Sequence, residues 1–319
     1  MEERRKFMQE LLRVGTRASK LALQQTRWVI SQLETFNPDL QFEIVEIKTT
    51  GDKILDVPLA KIGGKGLFIK ELEEALLDGQ VNLVVHSMKD VPAELHPELQ
   101  IAAITVREDP RDVLISRNNL ILKHLPSDAV IGTSSLRRQS QLLHYSKTFQ
   151  VVQLRGNLET RLRRVEGNGL DAVVLAAAGI HRMGWQSKIV EYLPMDICLP
   201  AIAQGALGIE VRGDQPVIQQ IVSPLDHPET RIAVLAERAL LRKLEGGCQI
   251  PVAAFGEVKG DQIFLQALVG SLQGDTIIRD RIQGPVDNPE EAGLLLAKKL
   301  IDQGADKILK AIFEANQSV

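Results

Sequence analysis

Residues 129–165 read AVIGTSSLRRQSQLLHYSKTFQVVQLRGNLETRLRRV, and the order of patterns in this stretch decides the fold. An apolar run ends at Gly132 and three hydroxyl residues, and apolar positions then recur at helical spacing through Leu142. A second β-branched run, FQVVQL, leads through Arg155 and Gly156 into another helical pattern at LETRLRRV. Strands that alternate with helices of ten or so residues favour largely parallel sheets buried on both faces.

The alternation extends both ways. DVLIS lies before the stretch and DAVVLAAAG after it. From about residue 12 to 105, FEIVEIKTT, VNLVVHS and LQIAAITV alternate with helical segments such as Leu67 to Leu77, which predicts a second α/β lobe. The C-terminal part differs. RIAVLAERALLRKLEGG predicts a helix stopped by Gly246 and Gly247, and VAAFGEV, IFLQALVG and TIIRDRI, separated by KGDQ and LQGD, predict an antiparallel meander. A further helix is expected from NPEEAG, with Asn288 as cap, Pro289 at the first helical position and Glu291 completing a capping box.

The totals bound the function. A chain of 319 residues exceeds one hydrophobic core, so two or three domains are expected. With 44% hydrophobic and 25% charged residues it has the composition of a globular protein. The net charge of −3 and 4% aromatic residues argue against a nucleic-acid partner. The charged start MEERRKFMQELL lacks the apolar core of a secretory signal, and the apolar run from Ala172 to Ile180 is too short to span a bilayer. A cytoplasmic protein with no membrane partner is expected, with Cys198 and Cys248 reduced. No metal-ligand spacing stands out, so no metal is expected.

Local charge is more informative than the total. Ser135 is placed to cap a helix whose first turn carries Arg137 and Arg138; cations there oppose the helix dipole unless an anion is to be bound. The pattern recurs at Arg155, Asn157 and Arg161, and at Arg17 with Ser19, while Lys61 and Lys65 lie in the glycine-rich segment 51–66, read as a candidate lid. Any one of these taken singly reads better as a solvated surface charge or a domain-interface salt bridge; their recurrence at strand-to-helix junctions points to a site for carboxylates or phosphates. In VVHSMKDVP, residues 84–92, an apolar strand ends at polar residues where open α/β sheets place ligands. Asp90 is there either a turn residue ahead of Pro92 or a functional carboxylate, and His86 reads as structural. Cys198, between Ile197 and Leu199, reads as a buried thiol; Cys248, after two glycines, is open to approach by something sizeable.

Taken in order, GTRASKLAL, GDKILDVPLAKIGGKGLFIKELE, VVHSMKDVP, REDPRDVLIS, IGTSSLRRQSQL, LRGNLETRL, LPAIAQGALGIE and LEGGCQIPVAA closely resemble the porphobilinogen deaminase family, from about residue 12 to beyond 300. The resemblance implies an α/β fold class: two periplasmic-binding-protein-like domains with the active cleft between them, plus a small C-terminal α+β domain with a three-stranded antiparallel sheet. The expected boundaries are residues 1–105 with 205–224, residues 106–204, and residues 225–319. It implies a transferase that joins four porphobilinogen molecules, with loss of ammonia, onto a dipyrromethane cofactor held by a thioether to Cys248, then hydrolyses off the tetrapyrrole. Asp90 matches the catalytic aspartate. Lys89, Ser135, Arg137, Arg138 and Arg155 match cofactor-binding positions, and Arg17, Ser19, Lys61, Lys65, Arg155, Arg161 and Arg182 match substrate-binding ones. Two carboxylates per pyrrole explain so many cations. A monomer is expected. Competing readings are an anion-capturing protein without catalysis and a thiol switch at Cys248.

Overall fold

The computed structural model describes residues 11–53, 69–167, 169–244 and 250–317. The chain divides into two compact units. The first holds the described residues up to Lys53, those from Ile69 to Arg107 and those from Ala206 to Arg231; the second holds Glu108 to Gly205 and the described residues from Ile232 onward.

In the first unit, strands β1 (Leu11–Arg17), β2 (Gln41–Ile47), β3 (Leu83–Ser87), β4 (Leu99–Ile104) and β10 (Leu207–Arg212) form one sheet in the order β2-β1-β3-β10-β4. Helix α1 (Lys20–Phe36) starts where the Ser19 side chain accepts the Ala22 N–H. Successive strand residues point to opposite faces, and both faces are covered. Leu83 and Val85 pack with Val29, Ile30 and Leu33 of α1. Val84 packs on the other side with Leu72 and Leu76 of α2 (Lys70–Leu77). Each such fully buried aliphatic side chain contributes about 1.5–3 kcal/mol, which is why the strands read as continuous apolar runs.

The second unit repeats the scheme. Its strands β5 (Asp112–Ser116), β6 (Val130–Gly132), β7 (Gln150–Val152), β8 (Ala172–Ala176) and β9 (Glu191–Tyr192) lie in the order β7-β6-β8-β5-β9. Helices α3 (Leu136–Tyr145) and α4 (Leu158–Glu166) begin at Ser135 and Asn157, whose side chains accept the N–H groups of Arg138 and Thr160. Val174 of β8 packs with Leu142 of α3, and Val173 and Leu175 pack with Leu162 and Val165 of α4. Helix α5 (Ala177–Arg182) follows β8 directly.

Both sheets are mixed rather than largely parallel. Strands β1, β2 and β3 are mutually parallel, as are β6, β7 and β8, but β10 runs antiparallel to β3 and β4, and β5 antiparallel to β8 and β9. The reason is chain path. Strand β10 re-enters the first unit after the chain has passed through the second between Glu108 and Gly205, and so runs back along β3 instead of following it through a helical crossover.

Strands β11 (Val252–Lys259), β12 (Gln262–Gly270) and β13 (Ile277–Pro285) form the expected antiparallel sheet in sequence order. It belongs to the second compact unit, and its turn shows why. Gln139 of α3 donates to the Leu272 carbonyl at 3.2 Å, and His144 Nδ1 lies 2.9 Å from the Gly274 carbonyl oxygen. Gly274 has φ +67°, and a Cβ there would fall 2.6 Å from the Ser140 carbonyl oxygen, so no larger residue fits beneath α3. At the start of the helix Pro289–Asp302 the Asn288 side chain makes no cap bond to the backbone; its Nδ2 donates to Glu291 Oε2 at 2.7 Å instead. Among the described residues no helix is long and apolar enough to cross a membrane.

Candidate active site

The polar residues gather at the carboxyl ends of the parallel strands, unit by unit. In the first, β1 and β3 are in register with Gly15 opposite Val84, so the loops after Arg17 and after Ser87 leave the sheet side by side. These loops hold Arg17, Ser19, Lys89 and Asp90, all partly buried. Lys89 and Asp90 sit on one 3-10 turn, Met88–Asp90, that directly follows β3.

That turn is held tightly from below. The Met88 N–H donates to the Ala206 carbonyl at 3.0 Å, the Val91 N–H to the Met88 carbonyl at 3.3 Å, and the Met88 side chain is 1% exposed. Gly208 of β10 lies directly under it; a Cβ there would collide with Met88 Sδ and stand 3.2 Å from Met88 Cγ. His86 Nε2 is 2.8 Å from Glu210 Oε2, with both side chains buried, so the pair ties β3 to β10 just before the turn. His86 is structural, as its sequence context suggested. Burial, with the nearby Glu210 charge adding to it, raises the carboxyl pKa of Glu73 on α2.

In the second unit, Ser135, Arg155 and Arg161 stand at the two strand-to-helix junctions of the same sheet edge, partly buried. Arg161 Nε donates to the Gly156 carbonyl at 2.9 Å, folding the guanidinium back over its own helix start. Arg182, at the end of α5, donates from Nη2 to the Gly205 carbonyl at 2.7 Å. Burial pushes its pKa down to about 10, against the opposing pull of Glu108. Glu108 also lies 3.1 Å from His181 Nδ1, and the other ring nitrogen of His181 lies 2.8 Å from the Tyr192 hydroxyl.

Arg137 and Arg138 are placed differently from the other cations. Both are buried, and both reach the fully buried Asp112 at the start of β5. Arg137 Nη1 donates to Asp112 Oδ2 at 2.7 Å and to the Leu199 carbonyl at 2.6 Å. Arg138 Nη2 donates to Asp112 Oδ1 at 2.6 Å, and its Nη1 to the Val174 carbonyl at 2.9 Å. Gln204 Nε2 also donates to Oδ1, at 2.9 Å, and the Cys198 thiol donates to Oδ2 at 3.3 Å. Burial alone would raise the Asp112 pKa, but the two guanidiniums hold it far below the usual carboxylate range. Burial, then the Asp112 charge, pushes the Cys198 thiol up to about 12. A thiol that is protonated and 0% exposed is inert, which leaves the thiol-switch reading without a partner in Cys198.

Sequence reasoning missed Asp112, although it lies inside the quoted motif REDPRDVLIS. The available signal was an acid opening an otherwise apolar strand. Of the expected site residues, Lys61, Lys65 and Cys248 lie outside the described residues, as does most of the candidate lid at 51–66. Among the described residues no cluster of three or more His, Cys, Asp or Glu side chains is arranged to hold a metal.

Cationic residues thus gather at the carboxyl edges of two mixed α/β sheets, the edge at which open α/β folds place ligands. Residues 12–220 match the family model described as "Porphobilinogen deaminase, dipyromethane cofactor binding domain", and residues 231–302 match "Porphobilinogen deaminase, C-terminal domain". The chain belongs to the porphobilinogen deaminase family. It is 51% identical over 307 residues to the porphobilinogen deaminase of Geotalea uraniireducens, covering 96% of each chain, and 52% identical over 303 residues to that of Geobacter metallireducens, covering 95% of each. Among solved structures, the VFT2 domain of Bordetella pertussis BvgS is similar at 16% identity and a TM-score of 0.41, over 70% of this chain and 90% of that one.

The donor set fits a dipyrromethane cofactor. Its side chains are carboxylates, and the second unit offers guanidiniums and the Ser135 hydroxyl along one edge. Nε of Arg137 and Nε of Arg138 are buried with no hydrogen-bond partner among the described residues. Two guanidiniums against one carboxylate leave a positive charge in place for an anion.

Proposed function

We propose that this chain polymerises porphobilinogen onto a dipyrromethane primer carried by Cys248 through a thioether: four molecules are added, ammonia is lost at each addition, and the linear tetrapyrrole is released by hydrolysis. The observation that carries this is the pair of family models running in order over residues 12–220 and 231–302. The bound dipyrromethane supplies the pyrrole α-carbon from which growth starts.

The chain's own residues do the rest. Arg17, Ser19, Arg155, Arg161 and Arg182, with Lys61 and Lys65, receive the acetate and propionate of the substrate; guanidinium forks match planar carboxylates and fix the ring's orientation. Lys89, Ser135, Arg137, Arg138 and Arg155 hold the carboxylates of the primer. When the aminomethyl C–N bond of porphobilinogen breaks, its electron pair leaves with nitrogen, which departs as ammonia after taking up a proton. The pyrrole nitrogen lends its lone pair and becomes positive. Asp90, set on a turn with little freedom to shift, accepts the pyrrole N–H and stabilises that charge where it develops. Its carboxylate also carries the proton that the reaction moves.

Its modest net charge and few aromatic residues support the reading that it has no nucleic-acid partner; the chain is read as a cytoplasmic monomer. The test is stoichiometry. Purified protein given porphobilinogen should release four ammonia molecules per hydroxymethylbilane, and protein that binds porphobilinogen without releasing ammonia would leave only the anion-capturing reading. Light scattering checks the monomer.

A further inference from the structure

The second unit buries an unequal charge cluster that the reaction does not explain by itself. Asp112 is 0% exposed, and each of its oxygens accepts two donors: Arg138 and Gln204 on Oδ1, Arg137 and Cys198 on Oδ2. The Arg137 and Arg138 side chains are only 4% and 7% exposed, and no other carboxylate pairs with either among the described residues. Asp112 therefore takes one terminal nitrogen from each guanidinium. The second anchors are backbone carbonyls, Leu199 for Arg137 and Val174 for Arg138. Gln141 fixes the first of these, accepting the Leu199 N–H at 2.7 Å and donating to its carbonyl at 3.1 Å. Both guanidiniums are thus locked in rotation while their Nε donors stay unpartnered and buried. Orphaned buried donors and an uncancelled charge are costly unless a ligand completes them.

We propose that Asp112 is a positioning residue: it aligns Arg137 and Arg138 and cancels one of their two charges, so that the pair is completed by one ligand carboxylate. This rests on reading Arg137 and Arg138 as holding the primer. The chemistry is a count of charge. With Asp112 the cluster carries a single positive charge; without it, the cluster carries two and depends more heavily on the anion it receives.

The test is a thermal-melting cycle on the full chain, with intact mass reporting whether the dipyrromethane is attached. Wild type and Asp112→Asn are each compared with the same protein carrying Cys248→Ser, which removes the attachment point. The cofactor should raise Tm more in Asp112→Asn than in wild type, and an equal or smaller increment would overturn the proposal. Should Asp112→Asn fail to fold, Asp112→Asn combined with Arg138→Gln restores the single charge. Recovery of a folded protein by that second change supports the charge count, and failure to recover it contradicts the proposal. Arg137→Gln and Arg138→Gln separate the two readings. If neither changes the cofactor's increment, the reading of the arginines falls; if they change it and Asp112→Asn does not, only the Asp112 role falls.

Discussion

Replacing Gly208 by alanine tests whether the turn under Asp90 acts as a rigid mount. The added methyl would collide with Met88 Sδ and stand 3.2 Å from Met88 Cγ and 3.4 Å from Ile101 Cγ2. Met88 is 1% exposed and its amide is tied to the Ala206 carbonyl at 3.0 Å, so the side chain has little room to swing aside. Overpacking of this kind costs about 1–3 kcal/mol, and the flexibility of methionine puts the expectation near the lower half of that range. The displacement falls on the first residue of the Met88–Asp90 turn, so Asp90 moves with it. The assay pairs urea unfolding with steady-state turnover. Turnover number should fall by about tenfold or more, since misplacing a reacting group by about 1 Å costs about 10²-fold, while KM, on the proposed role of the arginines, should change less. Met88→Ala alone should cost about 2–5 kcal/mol through the cavity it leaves, and the double variant less than the two single changes together, because the new methyl fills part of that cavity. Strict additivity with undiminished turnover in Gly208→Ala would refute the mount.

Further expectations follow from other residues. Glu210→Ala leaves the buried His86 ring nitrogen without its hydrogen-bond partner and should lower unfolding free energy by about 1–3 kcal/mol in a denaturant melt, whereas His86→Gln, which keeps a donor, should cost less. Asp90→Asn should nearly abolish ammonia release while leaving the melting temperature close to wild type. The raised Cys198 pKa, about 12 against an ordinary 9.0, predicts a pH dependence. The folded state holds the thiol proton more tightly than the unfolded one, so this contribution is complete below about pH 9 and is lost as pH rises toward 12. Cys198→Ala should flatten the alkaline decline in stability, and native Cys198 should resist alkylation at neutral pH. Asp112 has the opposite sign: its depressed pKa makes its contribution present above the ordinary carboxylate range and lost in acid, so Asp112→Asn should shallow the acid unfolding curve.

Much of this architecture was legible in the sequence because two local rules agree along most of the chain. Apolar runs punctuated by Ser19, Ser135 and Asn157 gave strand ends and helix starts that the structure repeats, cap for cap. The direction of β5 and β10 was not legible, since it depends on where the chain leaves and re-enters each unit, and period-2 patterning carries no direction. Ionic partners were hidden for a related reason. Asp112 and Arg137 are 25 residues apart, and His86 and Glu210 are 124 apart, so no window along the chain contains both members. Arg137 and Arg138 show the consequence. From their positions they read as anion hooks like Arg155, and only their burial against Asp112 sets them apart.

Whether this chain grows its product on a primer attached to Cys248 is decided by the intact mass of the purified protein. The protein should weigh more than its sequence by the mass of a dipyrromethane, with the excess abolished by Cys248→Ser. Active enzyme of unmodified mass, or an excess that survives the substitution, would contradict it.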